Sequence, residues 1–222
     1  DNSWQSLATT PTAVDRGGSL ISTGGDFLYA LRGNSTNDFW RYSISSNVWI
    51  PRSSPIYGNP ADDGAALVYG GGDYLYAFKG GNNTFIRYSI SQNIWTLMQA
   101  APGTTAAGAS LLYPGSGDYI YALKGNLSTS FWRYSISSNS WTTLSSTPLS
   151  VLDGGSLAYP GSGDFLYAFK GNNTTDFWRY SITNNTWITL TSTPQKVWFG
   201  GSLSSQGGDS IYALRGGNTV GF

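Results

Sequence analysis

The stretch Asn37 to Trp49, NDFWRYSISSNVW, returns as FIRYSISQNIW over 85–95, FWRYSISSNSW over 131–141 and FWRYSITNNTW over 177–187. Counting outward from these copies, tryptophans fall at Trp4, Trp49, Trp95, Trp141 and Trp187, in steps of 45, 46, 46 and 46. A beat that regular is the mark of one supersecondary unit repeated side by side. Asp26, Asp73, Asp118, Asp164 and Asp209 keep the same beat at the ends of Gly-rich turns, and Gly33, Gly80, Gly125, Gly171 and Gly216 keep it after a basic residue.

Inside one unit four short runs of aromatic and branched residues read as strands: Gly18–Ile21, Phe27–Leu31, Phe39–Ile44 and Val48–Ile50. They are lettered A to D. The breaks are turn chemistry, Thr23-Gly-Gly-Asp26 between A and B and Ser45-Ser-Asn47 between C and D, where Gly, Asn and Asp supply positive φ or side-chain turn bonds. No window shows helical periodicity with caps. A four-stranded antiparallel unit of this length exposes two sheet faces, and packing units around an axis covers both, which predicts a β-propeller. Small residues open every strand A, as in Gly17-Gly-Ser19 and Gly154-Gly-Ser156, where innermost strands would crowd the axis.

The spacing Tyr-x6-Trp at Tyr42/Trp49, Tyr88/Trp95, Tyr134/Trp141 and Tyr180/Trp187, with glycine closing strand B, resembles the kelch repeat over nearly the whole chain. It departs from that pattern where Arg32-Gly33, Lys124-Gly125 and Lys170-Gly171 put a basic residue in place of a first glycine. The resemblance implies an all-β, five-bladed kelch-like β-propeller of four-stranded antiparallel blades, a single domain over 1–222. Its repeats would span about 17–63, 64–107, 108–153 and 154–199, with 200–222 plus 1–16 as the last. Asn2 to Leu7 match strand D, so the N-terminal strand is expected to complete the last blade. Strand C of that blade is the difficulty: the sequence reaches Val220-Gly-Phe222 where Trp-Arg-Tyr-Ser-Ile should follow, so a stub, a longer native chain or a strand from another molecule are all open.

Composition removes several function classes. Twelve cations balance twelve acids, all of the latter Asp, and charged residues make up only 11%, so no long-range field favours nucleic acid or anionic lipid. No run of about 18 apolar residues spans a bilayer, and the opening at Asp1 reads as a processed chain or a fragment. With no Cys and no His, thiol nucleophiles, the commonest general base and the commonest metal ligands are missing. The copper site of galactose-oxidase-like kelch proteins is thereby excluded, and the lack of Glu and of a Ser-x-Asp-x-Gly-x-Thr-Trp box speaks against sialidase-like propellers. Asp62-Asp63 is the one adjacent carboxylate pair, in a Pro-flanked loop. No catalytic residue, metal ligand or cofactor is assigned. The abundance of Gly, Ser, Thr and Asn beside 15% aromatics points to an extracellular or cell-surface protein.

In a kelch-like blade the B-to-C and D-to-A loops emerge on one face, and the D-to-A loops are the least similar parts of this chain: 51–63, 101–106, 147–153 and 193–199. Variable loops on a rigid scaffold are where recognition gathers. Arg32, Lys79, Lys124, Lys170 and Arg215 can form a basic ring near the axis for an anion or sugar acid; equally, Arg32 opposite Trp40, and Lys124 and Lys170 opposite Trp132 and Trp178, can stack on those rings. Trp198 stands outside the tryptophan beat and is the best single candidate for an exposed ligand-contacting aromatic. Asn-x-Ser/Thr triplets at Asn34, Asn82, Asn126, Asn172, Asn173 and Asn184 mark candidate glycan positions, five of them in B-to-C loops. The expected function is a non-enzymatic recognition or scaffold propeller that binds glycan or protein through this loop face. The alternative is a self-assembling subunit of a filament, sheath or surface layer whose partners are copies of itself, joined through the incomplete last blade.

Overall fold

The computed structural model describes residues 3–208 and 210–217, so Asp209 and Val220-Gly221-Phe222 lie outside the described residues. All regular structure among them is β. The first sheet holds β1 (Ser19–Ser22), β2 (Phe27–Leu31), β3 (Phe39–Ser43) and β4 (Val48–Pro51). The second holds β5 (Ala65–Tyr69), β6 (Tyr74–Lys79), β7 (Phe85–Ser89) and β8 (Ile94–Leu97), and the third β9 (Ser110–Leu112), β10 (Tyr119–Leu123), β11 (Phe131–Ser135) and β12 (Ser140–Thr143). The fourth holds β13 (Ser156–Ala158), β14 (Phe165–Phe169), β15 (Phe177–Ser181) and β16 (Thr186–Thr189). A two-stranded sheet, β17 (Ser202–Ser204) and β18 (Tyr212–Leu214), follows. Each sheet is an antiparallel meander in chain order, the simplest path for strands joined by tight turns.

The turns show why the repeated polar residues are there. Asn47, Asn93, Asn139 and Asn185 sit at φ of 54°, 56°, 50° and 53° in the C-to-D turns, a region asparagine tolerates better than branched residues. The repeated aspartates brace this turn from the neighbouring A-to-B turn. Ser43 donates its hydroxyl to Asp26 Oδ2 at 2.7 Å and Ser45 its amide to Oδ1 at 2.6 Å, and Ser135, Ser137 and Asp118 repeat the arrangement. Those donors hold the carboxyls of Asp26, Asp73, Asp118 and Asp164 below the ordinary value, the strand serine hydroxyl contributing most.

Between sheets the same contact recurs three times. Phe39 receives Tyr88 and Trp95 of the next sheet, both at 4.9 Å between ring centroids. Phe85 receives Tyr134 and Trp141 at 4.7 and 4.9 Å, and Phe131 receives Tyr180 and Trp187 at 4.8 and 4.9 Å. Edge-to-face pairs of this kind add about 0.5–1.5 kcal/mol each beyond their buried area. A polar latch closes each junction on the outside. The turn asparagine of one sheet accepts from the Tyr hydroxyl of its own strand C and from a backbone N–H four residues past the preceding tryptophan. The tryptophan indole then donates to that same residue's carbonyl. Ser53 meets Asn93 and Trp95 in this way, Gln99 meets Asn139 and Trp141, and Ser145 meets Asn185 and Trp187. The motif Tyr-x4-Asn-x-Trp is therefore a joint between neighbouring units.

On the inner side, Leu67, Leu157 and Leu203 donate their amides to Ser19, Ser110 and Ser156 of the preceding strand A. Close approach there requires glycine. A Cβ on Gly64, at φ +80°, would stand 2.1 Å from the Ala106 carbonyl oxygen, and one on Gly108, at φ +81°, 2.1 Å from that of Leu152.

The N-terminal segment departs from expectation. Residues 3–18 contain no strand, and Trp4 is fully exposed at 103%. A strand D pairs with a strand C, and no strand C follows β18 among the described residues, so the segment lacks its ladder partner there. It still makes the joint that the end of a strand D makes. Ala8, four residues after Trp4, donates to Asn47 Oδ1 at 2.8 Å and accepts from the Trp49 indole at 3.0 Å. Leu20 of β1 is 58% exposed, whereas Leu67, Leu111, Leu157 and Leu203 at the same strand position are buried.

Candidate functional site

The predicted loop face exists, and backbone bonds tie it together. Three B-to-C loops bridge to the D-to-A loop that follows, Thr36 with Ala61, Ser128 with Val151 and Thr174 with Val197, and in the second sheet Ala101 and Thr105 donate their amides to the carbonyls of Asn83 and Asn82. At the centre of this face the starts of the five A strands surround an opening of about 430 Å3. Around it stand Arg16, Asp63, Ala107, Asp153 and Phe199. All five occupy one position of the repeat, the residue before the first glycine of strand A. The frame repeats and the side chain does not: a cation, two carboxylates, a methyl and a phenyl ring share one ring of backbone.

The ring is held firmly. The carbonyls of Arg16, Ala107 and Asp153 accept the amides of Asn34, Asn126 and Asn172 at 2.8, 2.9 and 2.8 Å, and the Phe199 carbonyl accepts from Gly217 at 2.9 Å. These asparagines sit at φ of 53–55°. Arg16 reaches Asp63 at 3.4 Å, both side chains well exposed. Next to it Asp62 accepts the Ser35 hydroxyl at 2.7 Å, which together with the Asp63 amide holds its carboxyl below the ordinary value. Asp153 goes the other way: partial burial first, and the negative charge of Asp63 second, raise its carboxyl above the ordinary value. The site therefore presents carboxylate acceptors, one guanidinium and an apolar ring on a fixed frame, which suits a ligand rich in hydroxyls with one apolar face.

Trp198 lies beside this opening, 42% exposed, its ring 5.0 Å from that of Phe199, and its amide is anchored on the Arg215 carbonyl. The five basic residues after strand B occupy separate places under the loops. Arg32 donates to the Ala13 carbonyl and pairs with Asp38 at 2.9 Å. Lys79 is wholly buried, its ammonium held by Asn37 Oδ1 at 2.7 Å and by the Pro55 carbonyl, and burial lowers its pKa to about 8. Lys170 pairs with Asp176 at 3.4 Å, Lys124 lies with Trp132 against Gly103, and Arg215 lines a small apolar cleft with Pro194 and Val197. The expected stacking on Trp40, Trp132 and Trp178 is replaced because register sets Trp40 opposite Ala30 and leaves Arg32 level with Asp38. The cation–aromatic stacks of the described residues belong instead to strand C: Arg41 on Phe27, Arg87 on Tyr74, Arg133 on Tyr119 and Arg179 on Phe165, at 4.0–4.3 Å.

Of the glycan candidates, Asn34, Asn126 and Asn173 are exposed on B-to-C loops, and Asn172 is partly buried there. The Asn82 amide nitrogen is buried, and that of Asn184, in a C-to-D turn, donates to Ser181. At the other end of the axis Tyr69, Tyr113 and Tyr159 line a wider opening, but their hydroxyls are committed to the carbonyls of Gly72, Gly117 and Gly163.

No family model and no curated protein matches the chain. Among solved structures, one described as "Structure of YjhT" superposes with a TM-score of 0.70 over 89% of this chain and 71% of that one, at 16% identity. The likeness is one of fold: an all-β, propeller-like arrangement of four-stranded antiparallel sheets.

Proposed function

We propose that the chain is a kelch-type propeller of five units that acts outside the cell as a non-enzymatic recognition module, and that its ligand, a glycan or a glycan-bearing protein, is held at the axial opening of the B-to-C and D-to-A loop face. The observation that carries this reading is the ring of Arg16, Asp63, Ala107, Asp153 and Phe199. A building role would favour equal residues at an equal position, as at the tyrosine and tryptophan of each joint. Five different side chains on one rigid frame suit contact with something asymmetric. The carboxyl oxygens of Asp63 and Asp153 accept sugar hydroxyls, Arg16 donates, and Phe199 with Trp198 offers the apolar surface for a pyranose face. A glycan array tests this. Binding of a limited set of glycans, reduced roughly tenfold or more by Trp198→Ala or Phe199→Ala, is the expected result for loss of one central aromatic contact. No hits, or hits indifferent to both changes, removes the proposal. Glycans on Asn34, Asn126 and Asn173 would decorate the rim, and an intact mass equal to that of the bare chain ends that part.

The assembly reading keeps one observation in its favour, the unpaired edge of β18 among the described residues. Copies joined there would give open-ended assemblies at rising concentration, and a strict monomer removes it.

A further inference from the structure

Phe177 is the fourth member of the series Phe39, Phe85, Phe131, and its position calls for a tyrosine and a tryptophan ring from the next sheet. Among the described residues its ring partners are Tyr167 and Phe169 of its own sheet, at 5.8 and 5.6 Å, and it packs otherwise against a small cluster with Val197 and Leu203, with no ring from a further sheet. Phe177 and Tyr167 are both partly exposed, whereas Phe39, Phe85, Phe131 and Tyr29, Tyr76, Tyr121 are buried. Between them and β18 runs a groove of about 490 Å3, lined by Tyr167, Phe169, Phe177, Leu203, Ile211 and Ala213 among others. The polar half of the joint is open too. Thr191 stands four residues past Trp187, as Ser53, Gln99 and Ser145 stand past their tryptophans, and it is exposed with no asparagine or indole on it among the described residues.

We propose that this groove is an acceptor for a β-hairpin of the protein's own repeat type, a partner defined by Tyr-x4-Asn-x-Trp on paired strands. Its first strand would run antiparallel to β18, with the residue two before the tyrosine opposite Ala213 and the tyrosine opposite Ile211, as Trp132 and Tyr134 stand opposite Ala122 and Ile120. The tyrosine and tryptophan rings would fill the groove over Phe177. The asparagine would accept the Thr191 amide, and the indole would donate to the Thr191 carbonyl. The occupant is argued from the three filled joints, which use this motif and no other. A second copy of the chain is a different occupant, since its own four hairpins are engaged in its own sheets. The arginine of the repeat is not required here: the aromatic residue that carries it in the other sheets, Phe27, Tyr74, Tyr119 or Phe165, is replaced by Ser210.

The probe is a synthetic peptide with the sequence of residues 130–143, SFWRYSISSNSWTT, titrated into the full chain. Binding is expected, weakened roughly tenfold or more by Tyr134→Ala, Asn139→Ala or Trp141→Ala in the peptide, the scale of a buried anchor residue, and nearly unchanged by Arg133→Ala. Thr191→Pro in the protein, which removes an exposed N–H and leaves the groove rings in place, should weaken binding similarly. The same hairpin joined to the chain after Phe222 serves as a second measurement that does not depend on a free peptide folding, and it is expected to raise Tm. Absence of peptide binding together with an unchanged Tm of the joined chain overturns the proposal. So does binding indifferent to Tyr134 and Trp141, or self-association through this face that the peptide does not displace.

Discussion

Phe131→Ala is expected to lower the free energy of unfolding by about 3–5 kcal/mol, the cost of deleting a fully buried aromatic ring. Phe131 is wholly buried, stacked with Tyr121 of its own sheet and capped edge-on by Tyr180 and Trp187 of the next. Phe177→Ala removes the same ring from the same strand position one sheet further on, and is expected to cost only about 1–2 kcal/mol, because a partly exposed ring without the two capping aromatics gives up less buried surface. Urea unfolding with an unchanged m-value measures both. Equal losses would show that the fourth junction is as tightly filled in solution as the third.

Alkaline pH should unfold the protein steeply. Burial is the main cause that raises the phenol pKa of Tyr76, Tyr88, Tyr121, Tyr134 and Tyr180, the last to about 12. A group whose folded pKa lies above its unfolded value contributes stability in full below the unfolded value, here near 10, and loses it as pH rises toward the folded value. Above pH 10 each such tyrosine then removes up to about 1.4 kcal/mol per pH unit. Lys79 has the opposite sign: its folded pKa, lowered to about 8 by burial, makes stability rise between about 8 and its unfolded value of 10.5. The profile of Tm against pH should therefore climb gently from 8 toward 10 and fall sharply beyond, with tyrosinate absorbance appearing together with unfolding. Tyrosinate growing near pH 10 while Tm stays level would contradict the packing described for the joints.

Most of the fold was legible because its signals repeat. The sequence bounds of strand B, Phe27–Leu31, match the structure, those of C and D differ by one residue at one end and those of A by one residue at both ends, since aromatic runs and Asn or Gly turns bracket them four times over. Two things escaped that reading. The register around the B-to-C loop is set by the positive-φ residues Gly33, Asn34 and Ser35, which lengthen the turn and bring Arg32 to Asp38 instead of Trp40. The N-terminal match to strand D was real in its motif but not in its pairing: the Ala8 latch forms without a ladder. The axial ring was harder to see because its signal is disagreement. Asp63, Asp153 and Phe199 close the variable loops, yet Arg16 and Ala107 share nothing with them except phase, and only the convergence of strands at the axis joins the five.

Titration of the Asp63→Asn/Asp153→Asn variant against a glycan bound by the unaltered chain tests binding at the ring most directly. Both residues stand at the opening, outside the aromatic joints, so Tm should stay close to that of the unaltered chain. The variant should keep its fold and lose binding by roughly tenfold or more, the cost of disturbing two acceptors at the centre of the site. Undiminished affinity in a variant with unchanged Tm would contradict binding at the ring.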